Sequence, residues 1–140
     1  MHRFILLLIQ ILYLILLTNC REEILAPGND TGNINEPIQD NRANYYSLII
    51  HAEDLTSDIS AITNFNLNST RTLLTVSEFN DGSIYFKIKD KQGILLYNFS
   101  AESEVKNEFR KMTNGIPGRV EISFKNFSGK MKFSLSYYNE

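Results

Sequence analysis

The sequence predicts an all-β protein: a single small antiparallel β-sandwich of about seven strands with one short helix. Three observations carry that expectation. Apolar residues between positions 44 and 140 recur mostly with a period of two. Clusters of Asn, Asp and Gly interrupt the alternation at short intervals, as hairpin turns do. The stretch is about 97 residues long, enough for one core and too short for two.

The first strand is written in Tyr46, Leu48, Ile50 and Ala52, which alternate with Ser47, Ile49, His51 and Glu53. A weaker strand follows over 59–65. Residues 73–79 are rich in β-formers and lead into Asn80-Asp81-Gly82, whose tolerance of positive φ suits a tight hairpin. Ile84, Phe86 and Ile88 then point one way while Tyr85, Lys87 and Lys89 point the other, and Asp90-Lys91-Gln92-Gly93 turns the chain into a strand over 94–99. Val105, Phe109 and Met112 fall at helical spacing among charged neighbours, which predicts the short amphipathic helix within 101–112. Asn114-Gly115-Ile116-Pro117-Gly118 stops it. A last hairpin is expected from Val120, Ile122 and Phe124 through a turn at Asn126-Phe127-Ser128-Gly129 into Met131, Phe133, Leu135 and Tyr137. Seven such strands imply two packed sheets, immunoglobulin-like or jelly-roll-like, with the helical crossing segment carrying the last hairpin to the second sheet.

The amino-terminal third reads differently. Met1-His2-Arg3 is followed by an apolar run over 4–17, interrupted only by Gln10 and Tyr13, and then by Leu17-Thr18-Asn19-Cys20. A run of about 14 residues falls short of the roughly 20 that a membrane-crossing helix needs, so secretory-signal grammar is the better reading. This basic start, apolar core and Leu-x-x-Cys resemble a bacterial lipoprotein signal. The resemblance covers about the first 20 residues, with Asn19 standing where that family usually has Gly, Ala or Ser. It implies a signal peptide over 1–19, cleavage before Cys20, diacylglyceryl transfer to the Cys20 thiol and acylation of the new amino terminus. It also implies a place at the bacterial outer membrane or cell surface, with the membrane as partner. Cys20 is the chain's one cysteine, so no intrachain disulfide is possible. One acyl chain anchors marginally and two anchor stably, at about 0.8 kcal/mol per buried methylene.

Residues 20–43 read as a flexible acidic tether: Pro27, Gly28, Asn29, Asp30, Gly32, Asn33, Asn35 and Pro37 crowd it, and large apolar residues are few. Formal charge is -2 for the whole chain and -3 once Arg3 is removed with the signal, too mild to define a partner.

Catalysis is argued against by what the domain lacks. His51 is its one histidine and Cys20 is committed to the lipid, so a Cys-His pair is excluded and no cofactor is expected. A metal-assisted enzyme using His51 and Glu53 is a distant alternative, but zinc normally recruits three or four ligands. Oxygen ligands for calcium exist at Glu53, Asp54 and Asp58 and in the Asn80-Asp81 turn, without the alternating Asp spacing of a dedicated loop. Binding is the stronger prospect. Tyr45, Tyr85 and Tyr138 fall on the outward phase of their strands, where a ring can stack on a sugar or press against a protein. Lys87, Lys89, Lys125, Lys130, Lys132 and Arg119 share that phase and would form a basic stripe toward an anionic polysaccharide, although outward lysines also serve only to keep strand edges soluble. No nucleic-acid motif is present. Sequons at Asn29, Asn68, Asn98 and Asn126 bear on the alternative of a secreted, non-lipidated glycan- or protein-binding module, with Asn126 in a predicted turn as the favoured acceptor.

Overall fold

A computed structural model describes residues 32–139. The signal, Cys20 and the first part of the tether lie outside them. Among the described residues every regular element is a strand: β1 (Ile38–Arg42), β2 (Tyr45–Ile62), β3 (Thr70–Asp90), β4 (Leu95–Ala101), β5 (Val105–Met112) and β6 (Pro117–Tyr137). They make one antiparallel sheet in the order β1-β2-β6-β3-β4, with β5 also on β3. The all-β expectation is met; two separate sheets and seven strands are not what forms.

Three strands are unusually long, at 18, 21 and 21 residues, because two expected hairpins are bends inside strands. Asn80-Asp81-Gly82 lies within β3 and Asn126-Phe127-Ser128-Gly129 within β6. The physical reason is that positive φ, which suits a hairpin turn, equally suits a β-bulge. Asp54, Glu78, Gly82, Asn126 and Gly129 all have positive φ. Register slips fall at matching levels of the three strands, and Leu55 pairs with Phe127 and Asp81 with Ser128. The bends therefore line up as one fold line across the sheet. Thr56 and Asn126 hold it by reciprocal bonds, the threonine hydroxyl donating to Asn126 Oδ1 at 2.8 Å and accepting from the Asn126 amide at 3.0 Å. The Asp54 amide donates to Ser128 Oγ at 2.9 Å. Phe127, fully buried, fills the crease beside Phe79 and Phe124, with ring centroids 6.2 and 5.7 Å away.

The fold line divides the sheet into two half-sheets. The first contains β1, 45–52 of β2, 129–136 of β6, 70–77 of β3, and β5. The second contains 57–62 of β2, 119–124 of β6, 83–90 of β3, and β4. Phe86 pairs with Ile122, yet its ring centroid lies 5.1 Å from that of Phe133, eleven residues further along β6. A straight strand would separate those positions by about 36 Å. The sheet is thus folded over, and Tyr46, Leu48, Ile50, Met131 and Phe133 of the first half-sheet share one core with Ile84, Phe86, Ile88, Val120 and Ile122 of the second.

Two further corrections concern 101–112 and the tether. No helix forms there: β5 pairs with β3 from Thr70↔Met112 to Val76↔Val105. A bulge at Asn107, φ 53, with its carboxamide oxygen accepting from the Thr75 hydroxyl at 3.0 Å, inserts one residue. Val105 and Met112, seven apart, then both turn inward while Phe109 turns out, and that parity change imitates a helical period. Ile38–Arg42, within the stretch whose composition reads as tether, is β1. Asn35 fixes the chain just before it, its amide donating to the His51 carbonyl at 2.8 Å and its side chain to the Glu53 carbonyl at 2.9 Å.

Candidate functional site

The outward tyrosines and lysines form two groups on opposite outer faces. On the first half-sheet lie Tyr45, Tyr138, Lys130 and Lys132. Tyr138 is ringed by its own protein: Lys111 Nζ lies 4.1 Å and the Arg71 guanidinium 5.8 Å from its ring centroid, and Phe109 meets it edge-on at 6.5 Å. Arg42, ion-paired with Asp40, lies over Tyr45 at 5.4 Å. Lys130 is bonded to Glu78 at 3.0 Å. The aromatic faces here are already occupied by cations.

Tyr85, Lys87 and Lys89 lie on the second half-sheet with Arg119 of β6. The alternation of β3 turns Ile84, Phe86 and Ile88 into the core and leaves these three outside, as the period of two requires. Tyr85 is partly exposed; its hydroxyl accepts from Asn98 at 3.2 Å and Lys87 Nζ sits 5.0 Å from its ring centroid. Lys89 bonds Glu121 at 2.9 Å. That hydrogen bond, opposed by partial burial and aided by the positive fields of Lys89, Lys87 and Arg119, holds the Glu121 carboxyl below the usual carboxylate range.

The outer row of this face runs Ile62, Arg119, Lys89, Leu95 across four strands. Beside it opens a groove of about 410 Å³ lined by Ile62, Lys89, Lys91, Gly93, Gly118 and Arg119, among others. Its floor is backbone. A Cβ on Gly118 would stand 2.6 Å from the Lys91 amide nitrogen, so only glycine lets β6 pass this close to the β3–β4 turn. Asp90, also in the lining, turns its Oδ1 to the amides of Gln92 and Ile94 at 2.9 and 2.8 Å and braces that turn. Among the described residues, the side chains of Lys91 and Arg119 have no hydrogen-bond or ion-pair partner. Lys91, Gly93 and Gly118 read in the sequence only as turn and stop signals; the available hint was a basic residue inside a Gly-bounded turn directly after the outward Lys87 and Lys89.

Half-buried His51 pairs with Lys130 on the first half-sheet, and Glu53 stands exposed at the fold line beside Asp54. Among the described residues no three metal-ligating side chains come together, and Asp81 Oδ1 accepts from the Gly82 amide at 2.7 Å. Asn68, Asn98 and Asn126 are exposed, Asn126 at the fold line instead of a hairpin turn. No protein-family model matches the chain, and no curated protein sequence matches it.

Proposed function

We propose that the chain is an exported, lipid-anchored bacterial lipoprotein whose folded sheet serves as a small, non-catalytic β-sandwich module for binding or envelope structure. The observation that carries this reading is Cys20, the one cysteine, placed directly after the apolar run and Leu17-Thr18-Asn19. A thioether-linked diacylglycerol there supplies by itself the two acyl chains that stable anchoring takes, and acylation of the new amino terminus adds a third. The acidic tether, with Glu22, Glu23, Asp30 and Glu36, is repelled by an anionic bilayer and keeps the module off the membrane at the outer membrane or cell surface. Binding is favoured over a purely structural role because Tyr85, Lys87 and Lys89 gather on one face with a groove at its end. An envelope glycan or protein is the partner class, and the membrane is reached through Cys20.

The test is the intact mass of membrane-extracted protein beside a Cys20→Ala variant in the same bacterial host. A mass for residues 20–140 plus acyl chains, lost in the variant together with membrane retention, is the expected outcome. An unmodified mature chain released in soluble form would overturn the anchor and leave a secreted, non-lipidated binding module.

A further inference from the structure

The groove beside the β3–β4 turn has the composition of an anion site. Among the described residues the Lys91 and Arg119 side chains lie on its walls without a hydrogen-bond or ion-pair partner, and Lys89 adds a third cation; Glu121, bonded to Lys89 and within the field of Arg119, offsets part of this charge. Among the described residues Asp90 is the one carboxylate in the lining, and its Oδ1 is committed to the turn amides. Nearby Glu121 is held below the usual carboxylate range first by its hydrogen bond from Lys89 and then by the fields of Lys89, Lys87 and Arg119.

Three features decide what carries the acid. The volume of about 410 Å³ lies within the range of small-molecule sites, roughly 300–1,000 Å³, and exceeds what a bare inorganic anion fills. The walls mix backbone of Gly93 and Gly118 with long cationic stems and one exposed aliphatic side chain, Ile62, a set that suits a hydroxyl-rich ring with one apolar face. The groove also opens onto the row that leads by Lys87 to Tyr85, so a ligand longer than one unit can continue along the face.

Placement separates a saccharide from a lipid headgroup. Chain entry is fixed at the fold line by Asn35 against His51 and Glu53. The groove lies at the opposite, open end of β2, beside Ile62. About nine strand residues separate these levels, roughly 30 Å. The end of the module that receives the tether is therefore not the end that carries the groove.

We propose that this groove binds an anionic saccharide unit, gripped at its carboxylate or phosphate by Arg119 and Lys91. A guanidinium takes such groups in a bidentate manner and an ammonium adds a point charge. The inference rests on the binding-module part of the reading above, and its choice of a saccharide over a lipid headgroup also uses the tethered end; failure of the anchor is read separately by mass and membrane retention.

The experiment uses the full purified chain, isotope-labelled, titrated with glucuronate, glucose 6-phosphate and neutral glucose while the amide resonances of Gly93 and Gly118 are followed. Saturable shifts with both acids and none with glucose are expected. A Lys91→Ala/Arg119→Ala double variant should lose roughly tenfold or more in affinity, as loss of charge-assisted bonds implies, while Lys132→Ala on the other half-sheet keeps it. Unchanged resonances of Gly129 in the double variant establish that it is folded. Absence of shifts up to the solubility of both acids overturns the proposal, as do equal shifts with glucose or undiminished binding by the double variant. Shifts produced by vesicles of anionic phospholipid but by neither acid overturn the saccharide assignment in favour of a membrane headgroup.

Discussion

The two half-sheets present the same outward residue types, tyrosine flanked by Lys and Arg, and differ in what those cations are doing. On the first, Tyr138 lies between Lys111 and Arg71, Tyr45 lies under an Arg42 already paired with Asp40, and Lys130 holds Glu78. On the second, Lys87 likewise lies over Tyr85 and Lys89 has Glu121, and the difference is in Lys91 and Arg119, which face a groove. A cation stacked on its own tyrosine has spent that ring on the protein's own structure. Strand phase puts a residue outside; cross-strand register decides whether it is available to a ligand.

That contrast requires that the two half-sheets share one core and differ only on their outer faces. Phe86 belongs to the second and Phe133 to the first, and their rings are 5.1 Å apart. Phe133→Ala and Phe86→Ala should each cost about 3–5 kcal/mol, read as a fall in the urea midpoint at constant slope. The double variant should cost less than the sum by about 0.5–1.5 kcal/mol, the coupling of an aromatic pair. Strict additivity would mean that the half-sheets do not pack together.

The fold line can be separated from an ordinary turn by two glycines of nearly equal backbone conformation, Gly82 at φ 86 and Gly93 at φ 88. Alanine at either pays about 1 kcal/mol for the left-handed conformation. At Gly93 nothing stands within 4 Å of the added Cβ, but at Gly82 it would lie 2.3 Å from the Asn126 carbonyl oxygen. Gly82→Ala should therefore cost about 2–4 kcal/mol in all and Gly93→Ala only the conformational part. Equal losses in chemical denaturation would show that the bend is not held by close backbone approach.

Much of the core was legible in the sequence, because strict alternation at Tyr46–Ala52, Ile84–Ile88 and Val120–Phe124 survives whatever joins the strands. What joins them was not. Asn80-Asp81-Gly82 and Asn126-Phe127-Ser128-Gly129 specify positive φ, and positive φ is common to a hairpin and a bulge; the choice is made by partners distant in sequence, such as Thr56 on Asn126. The extra residue at Asn107 similarly turned a strand into an apparent helix. Tyr85, Lys87 and Lys89 were legible as an outward group, but the groove was not, since it needs Gly118 of β6 against the Lys91 turn.

Tyr46 supplies a titration that belongs to the first half-sheet. Its ring is fully buried, its hydroxyl donates to Gln39 of β1 at 2.9 Å, and burial pushes its pKa up to about 12. The folded state thus holds the phenolic proton more tightly than the unfolded state, whose tyrosine titrates near 10. The associated stability is fully present below pH 10 and is lost as pH rises from 10 through 12, by on the order of 2 kcal/mol. Tyr46→Phe should flatten that alkaline limb of the urea-stability profile while costing some stability at neutral pH through the lost bond to Gln39. Tyr97 of β4 is also raised by burial and by Glu108, but Arg110 opposes both, so Tyr97→Phe should flatten the limb less. The reverse order would place the stronger desolvation in the second half-sheet, and the β1 cover over Tyr46 would then not be what closes the core at its first edge.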